Sequence, residues 1–465
     1  MAFVSGIPTQ PRSGKGFRCR CSRAGQRVTQ CLASPTSSRT MKPLVTFIDW
    51  ASTNKADLSG LALSQLSDDL RGVVTAESRV VGDQLVSVPG SLALQVTSLE
   101  SKRSPFPDLV SHDAWARAPW YAKLSVRLLH AKLGGESEHN FPWISALPQT
   151  FHEFPFHWSE SELAELQSKR IVLAVHAQRK AYSKLYDSLF AGKTRKVSFD
   201  DFVWGLHCVR SRCFAGELET APFKERTRLF GLIGALAVAS STLGFLPAAD
   251  AANGALTSLV ALGMYDVLTP RILEAMQGVR LKRYALIPGI DFMNHSSRVN
   301  GKAEVSYEYF TDRFVVRCGE EYASGEEVSI SYGAQSNDSF LQYYGFVEED
   351  NPADEFIFDQ EYERMMNVGE GTLRARRHVG FDPKVIEEVA TRFGGDKDAA
   401  RKSLAELCRA VLASLPTSLA EDGAIRAQSR KEELALSYRM AKKRILASVV
   451  ESMELPEGLV ATEGP

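Results

Sequence analysis

The chain has 465 residues and a formal net charge of -1, long enough for a large core and two or three domains. The near-neutrality hides an asymmetry: residues 1–48 hold eight Arg or Lys and no Asp or Glu, against 47 basic and 56 acidic residues in the remainder. With no basic excess beyond the leader, sequence-independent nucleic-acid binding is not expected.

Residues 1–48, basic, acid-free and rich in Ser, Thr and Gly, have the composition of an organelle transit peptide. They lack the apolar run of a secretory signal and a strongly Arg-rich amphipathic pattern. The expectation is delivery to the chloroplast stroma after removal of this leader, with a disordered basic tail as the other reading. Cys19, Cys21 and Cys31 would leave with it. Cys208, Cys213, Cys318 and Cys408 are scattered, without metal-ligand or disulfide-framework spacing, so the rest is expected to work reduced and metal-free.

Residues 71–98 contain short β-rich runs split by Gly-Asp and Pro-Gly, the pattern of a small local antiparallel sheet. Residues 114–134, 159–190 and 198–214 suit helices, with a capping box from Ser159 to Glu162 and a cap at Ser198. Strand character returns at 303–318, around a turn at Thr311-Asp312, and at 325–333. From about 355 the pattern is helical, and the last helix carries the run Lys442-Lys443-Arg444. Between Arg228 and Asp250 lie 21 uncharged residues, followed by a weakly polar run to Met264. The length matches a membrane span, but glycines, serines and a proline favour a buried helix pair or an insertion packed on the main body.

The run Ile-Pro-Gly-Ile-Asp-Phe-Met-Asn-His-Ser at 287–296 places Asp291, Asn294 and His295 in an apolar frame, where polar groups need partners or a ligand. Arg212, Tyr332 and Tyr344 sit in similar frames. No Ser-His-Asp order, metal cluster or Gly-rich phosphate loop accompanies them, and Arg71-Gly72 leads into a strand rather than a helix. On residue chemistry alone the chain is an α+β enzyme or binding module with a polar pocket.

The blocks "RGVVTAESRVVGDQLVSVP", "VRSRCF", "LIPGIDFMNHSS", "GEEVSISYG", "SNDSFLQYYGFVEEDNPADEF" and "LALSYRMAKKRIL" resemble, in order, those of the SET-domain protein lysine methyltransferases. The branch resembled is that of the plastid Rubisco large-subunit methyltransferase. The resemblance covers about residues 60 to 450. It implies an α+β SET fold with small sheets and a pseudoknot at 60–350, a helical insertion at about 111–280, and an all-α substrate-binding domain at 355–460. It also implies S-adenosyl-L-methionine as cofactor and the lysine amine of a non-histone plastid protein as methyl acceptor.

By the same resemblance, Leu70, Arg71 and Gly72 line the cofactor site through the main chain, and Arg212 meets the methionine carboxylate. Asn294 and His295 hold the cofactor where the chain threads its pseudoknot, and Asp291 organises that loop. Tyr332 stands beside the methyl and the amine, and Tyr344 walls the lysine channel with Phe346 behind it. The implied partner is a lysine-bearing segment of the Rubisco large subunit or another stromal protein, taken by a monomer. The long gap from Arg212 to Asn294 and the Asp-Asp-Leu-Arg-Gly turn depart from that branch. They leave open another target, a histidine acceptor, or an inactive SET-fold scaffold in a plastid nucleoid or membrane-associated complex.

Overall fold

A computed structural model describes residues 38–65, 71–192, 197–218, 223–277, 280–308, 311–377 and 379–454. Its strands are short: β1 Leu61–Gln65, β2 Arg71–Thr75, β3 Gln84–Pro89, β4 Leu94–Thr97, β5 Phe214–Glu217, β6 Lys282–Leu286, β7 Asn294–His295, β8 Val305–Glu308, β9 Arg313–Arg317, β10 Ser329–Ile330, β11 Glu355–Ile357, β12 Arg374–Arg376 and β13 Gly380–Phe381. Strands this short cannot stand as isolated hairpins, and most find partners far along the chain. The sheets run β1-β2, β3-β9-β8, β4-β6-β5, β7-β10 and β11-β12-β13.

The local sheet expected over 71–98 is therefore corrected. Its strands form, but β2 pairs with β1, β3 with β9 and β4 with β6. Pro89 leads into a 3-10 turn at Gly90–Leu92, which sends β4 into a different sheet instead of back along β3. Register follows burial: Val86 and Val88 on β3 and Phe314 and Val316 on β9 are fully buried. The hairpin expected around Thr311-Asp312 does form, as β8 and β9.

The helices Trp120–Gly134 and Phe199–Arg212 pack together, burying Leu124, Leu128, Phe202 and Val209. Ser159 forms its capping box with Glu162, and the Ser198 hydroxyl accepts the backbone N–H of Asp201. The helix Ser38–Thr53 runs across the leader boundary expected at residue 48. Phe47 on it is fully buried, its ring 5.2 Å from that of Phe292.

The C-terminal region opens with the β11-β12-β13 sheet and is helical from Pro383, with Leu404, Cys408 and Val411 packed against Ile445, Leu446 and Val449. In its last helix, Arg430–Glu454, the basic run is only partly a solvated face. Lys442 is buried between Asp338 at 2.8 Å and Asp354 at 2.7 Å, and Lys443 is buried on Asp422.

The uncharged stretch forms a helical hairpin, Phe223–Thr242 and Ala248–Gln277. Its helices pack on each other, but they are not the buried pair expected, because Leu236 is 57% and Phe245 76% exposed. Among the described residues, no helix is long and apolar enough to cross a membrane.

Candidate active site

β6 delivers the chain to Pro288-Gly289. Gly289 has φ +88, and a Cβ there would lie 2.9 Å from Leu58 Cδ2, so only glycine makes this turn without strain. Its N–H donates to Asp291 Oδ1 at 2.8 Å, and Trp143 Nε1–H donates to Asp291 Oδ2 at 2.8 Å. The Asp291 carbonyl accepts from Arg212 Nη1. Burial pushes the Asp291 carboxyl up to about 6, although the Arg212 guanidinium pulls the other way. Asp291 thus fixes the loop and one edge of Arg212 together.

Past this turn the chain enters β7, where Asn294 and His295 pair in parallel with Ser329 and Ile330 of β10. Asn294 Nδ2 donates to Glu327 Oε1 at 2.8 Å. His295 Nδ1 accepts the Tyr332 backbone N–H at 3.0 Å, which assigns its proton to Nε2, 3.7 Å from Glu348 Oε2. Burial lowers the imidazole pKa, keeping it neutral. The ring lies between those of Tyr332, at 5.2 Å, and Phe340, at 4.7 Å.

Tyr332 directs its hydroxyl proton to the Met293 carbonyl at 2.7 Å and stacks on Tyr344, with centroids 5.1 Å apart and planes at 23°. Burial holds both phenols above their ordinary pKa. Tyr344 ends the helix Asn337–Tyr344, which Gly345 caps with φ +75; a Cβ there would meet the Phe154 ring at 2.6 Å. Phe346 stacks on Phe340 at 4.7 Å, behind Tyr344.

Arg212, Asp291, Met293, Ile330, Tyr332 and Tyr344 line one cavity of about 490 Å³. Asn294 and His295 are not on its lining; His295 supports Tyr332 from behind. Gly72 is buried in β2 and is not on the lining, and the Arg71 side chain lies outside what the structure describes. Leu70 lies outside the described residues. Trp120, Arg210, Glu304 and Tyr343 also line the cavity; Arg210 shares the block "VRSRCF" and Tyr343 the block "SNDSFLQYYGFVEEDNPADEF", and the other two carried no signal in sequence. Arg212 Nε is buried without a hydrogen-bond partner. A buried guanidinium edge left open this way is suited to a carboxylate. Among the described residues, no three His, Cys, Asp or Glu side chains are placed to share a metal ion.

Residues 364–446 match the family described as Rubisco LSMT substrate-binding. The chain is 22% identical over 316 residues to the actin-histidine N-methyltransferase of Danio rerio, covering 66% of this chain and 42% of that protein. It is 23% identical over 305 residues to that of Homo sapiens, with 66% and 42% covered. The chain thus spans about two-fifths of the length of these curated relatives. Among solved structures, Rubisco LSMT bound to AdoMet superposes with a TM-score of 0.58 at 16% identity, covering 89% of this chain and 91% of that one. Rubisco LSMT bound to sinefungin and monomethyllysine gives 0.57 at 16%, covering 90% and 92%.

These findings correct the branch assigned from sequence. The curated relatives carry the name of a histidine methyltransferase, so placement in the plastid Rubisco lysine methyltransferase branch is withdrawn. The likeness to the LSMT structures is one of fold. The chain has the α+β SET-domain fold, with small sheets, helical insertions and a C-terminal helical region.

Proposed function

We propose that the chain transfers a methyl group from S-adenosyl-L-methionine to a nitrogen of a protein side chain. One observation carries the reading: the stacked Tyr332–Tyr344 pair and the open edge of Arg212 converge on one cavity. Its volume, about 490 Å³, falls in the range of small-molecule sites. The names of the relatives and the ligands of the fold neighbours, AdoMet and sinefungin, support the same reading.

The residues present fit the cofactor. Arg212 would hold its carboxylate through the edge left without a partner. When bound, the cofactor supplies a methyl group already activated by its sulfonium. The chain's own residues then position and desolvate the acceptor. Because the Tyr332 proton is committed to the Met293 carbonyl, the phenol oxygen offers lone pairs to an acceptor N–H. With its pKa raised, Tyr332 stays protonated near neutral pH and orients the acceptor without acting as a base.

A lysine amine is the acceptor placed first. The walls of Trp120, Phe214, Tyr343 and Tyr344 suit an alkylammonium and favour its proton loss by desolvation. A histidine imidazole is the second reading, carried by the names of the curated relatives. Calorimetric cofactor titration tests the core of the proposal. Wild type should bind, and Arg212→Gln should lose about 10- to 100-fold in affinity, as expected for a charge-assisted pair. Absence of binding by wild type rejects the proposal. Mass spectrometry of proteins methylated in a cell extract then identifies lysine or histidine, and binding without turnover would favour an inactive scaffold.

The composition of residues 1–48 supports delivery to the chloroplast stroma. A fluorescent fusion of those residues should enter chloroplasts in leaf cells, and diffuse cytosolic signal would reject that address.

A further inference from the structure

The cavity holds a second arginine that the reaction above does not use. Arg210, in the last turn of the helix Phe199–Arg212, lines the same cavity as Tyr332 and Tyr344. Its guanidinium carbon lies 4.0 Å from the Tyr343 ring centre and 5.4 Å from that of Tyr121. Two rings hold the cation, yet among the described residues its guanidinium makes no ion pair or hydrogen bond. Arg439, by contrast, is paired with Asp422 at 3.0 Å and Glu165 at 2.8 Å. Glu304, also on the lining, forms no ion pair with Arg210.

Charge makes this arrangement informative. S-adenosyl-L-methionine brings one carboxylate, for which Arg212 already offers an open edge, together with a cationic sulfonium. An arginine on the lining that makes no ion pair among the described residues is open to a carboxylate that the substrate brings. We propose that Arg210 binds the carboxylate of an Asp or Glu beside the methylated residue, so that the site selects acidic protein segments. This rests on the methyl-transfer reading for its placement of the cofactor.

The test is fluorescence anisotropy with labelled lysine- and histidine-centred peptides bearing Glu or Gln flanks, on the full chain with S-adenosylhomocysteine present. Wild type should bind the Glu peptides about tenfold more tightly than the Gln peptides, as for one charge-assisted contact. Arg210→Gln should erase that preference and leave cofactor affinity unchanged; Arg210→Lys should keep part of it. Three results overturn the inference: no binding, or no preference, in wild type; equal loss for both peptide sets in Arg210→Gln; or a matching loss of cofactor affinity, which would make Arg210 a cofactor ligand. A parallel methyl-transfer assay separates the two ideas. Arg210-dependent binding without transfer keeps the acid-binding subsite and removes the reaction.

Discussion

Tyr332→Phe is expected to slow methyl transfer by about 100-fold or more while leaving cofactor affinity nearly unchanged, a magnitude taken from loss of one preorganised polar contact. The substitution removes only the hydroxyl. The ring remains held by stacking on Tyr344 and His295, and the backbone N–H still donates to His295 Nδ1. What disappears is the oxygen that the Met293 carbonyl orients toward the cavity. The Met293 carbonyl is also left without that donor, so a modest loss of stability should accompany the effect, about 1–3 kcal/mol for an unsatisfied buried acceptor. Calorimetry beside single-turnover kinetics measures both quantities. Parallel losses in cofactor binding and rate would show that Tyr332 shapes the cofactor site and does not orient the acceptor.

Lys442→Met should cost about 3–5 kcal/mol of stability, the usual result of stranding one half of a buried ion pair. Burial works against the Lys442 charge, but Asp338 and Asp354 more than offset it and hold its pKa above the ordinary lysine value. Without the ammonium, the buried Asp354 and the half-buried Asp338 carboxylates are left facing each other. Converting them to Asn in the same variant should recover most of the loss, since a whole buried network can be replaced more cheaply than half of one. The effect should reach the cavity. Asp354 Oδ1 accepts the Asn337 backbone N–H at 2.9 Å, and Asn337 Oδ1 accepts the Glu348 N–H at 3.0 Å. Glu348 in turn accepts the Ser297 N–H at 2.9 Å and faces His295. Urea unfolding measures the stability term; a loss below about 1 kcal/mol, the range of surface pairs, would mean that the charges are effectively solvated.

The site was legible where polar residues broke an apolar frame. Asp291, Arg212, Tyr332 and Tyr344 stood out for that reason, and the structure brings all four to one cavity. Beyond the β8–β9 hairpin, strand pairing was not legible, because local turn signals say nothing about partners such as Ser87 and Arg313, 226 residues apart. Lys442 and Lys443 read as a basic run because Asp338, Asp354 and Asp422, which neutralise them, lie in other segments. Trp120 has nothing in its neighbourhood to distinguish it from an ordinary helix residue, and Arg210 shares the block "VRSRCF" only as a neighbour of Arg212. The exposed apolar hairpin was misread because hydropathy reports what a segment could bury, not what the fold covers.

The pairing of β7 with β10 also sets when this protein can become competent during its synthesis. Asn294 and His295 meet Ser329 and Ile330 only after 35 further residues have emerged, and Asp354 meets Lys442 only after another 88. Such non-local contacts form late. A nascent chain that has already exposed every cavity-lining residue still lacks the last helix that anchors the Asn337–Glu348 segment. Emergence of that last helix, more than completion of the pocket's own sequence, therefore marks the point at which the cavity acquires its final shape.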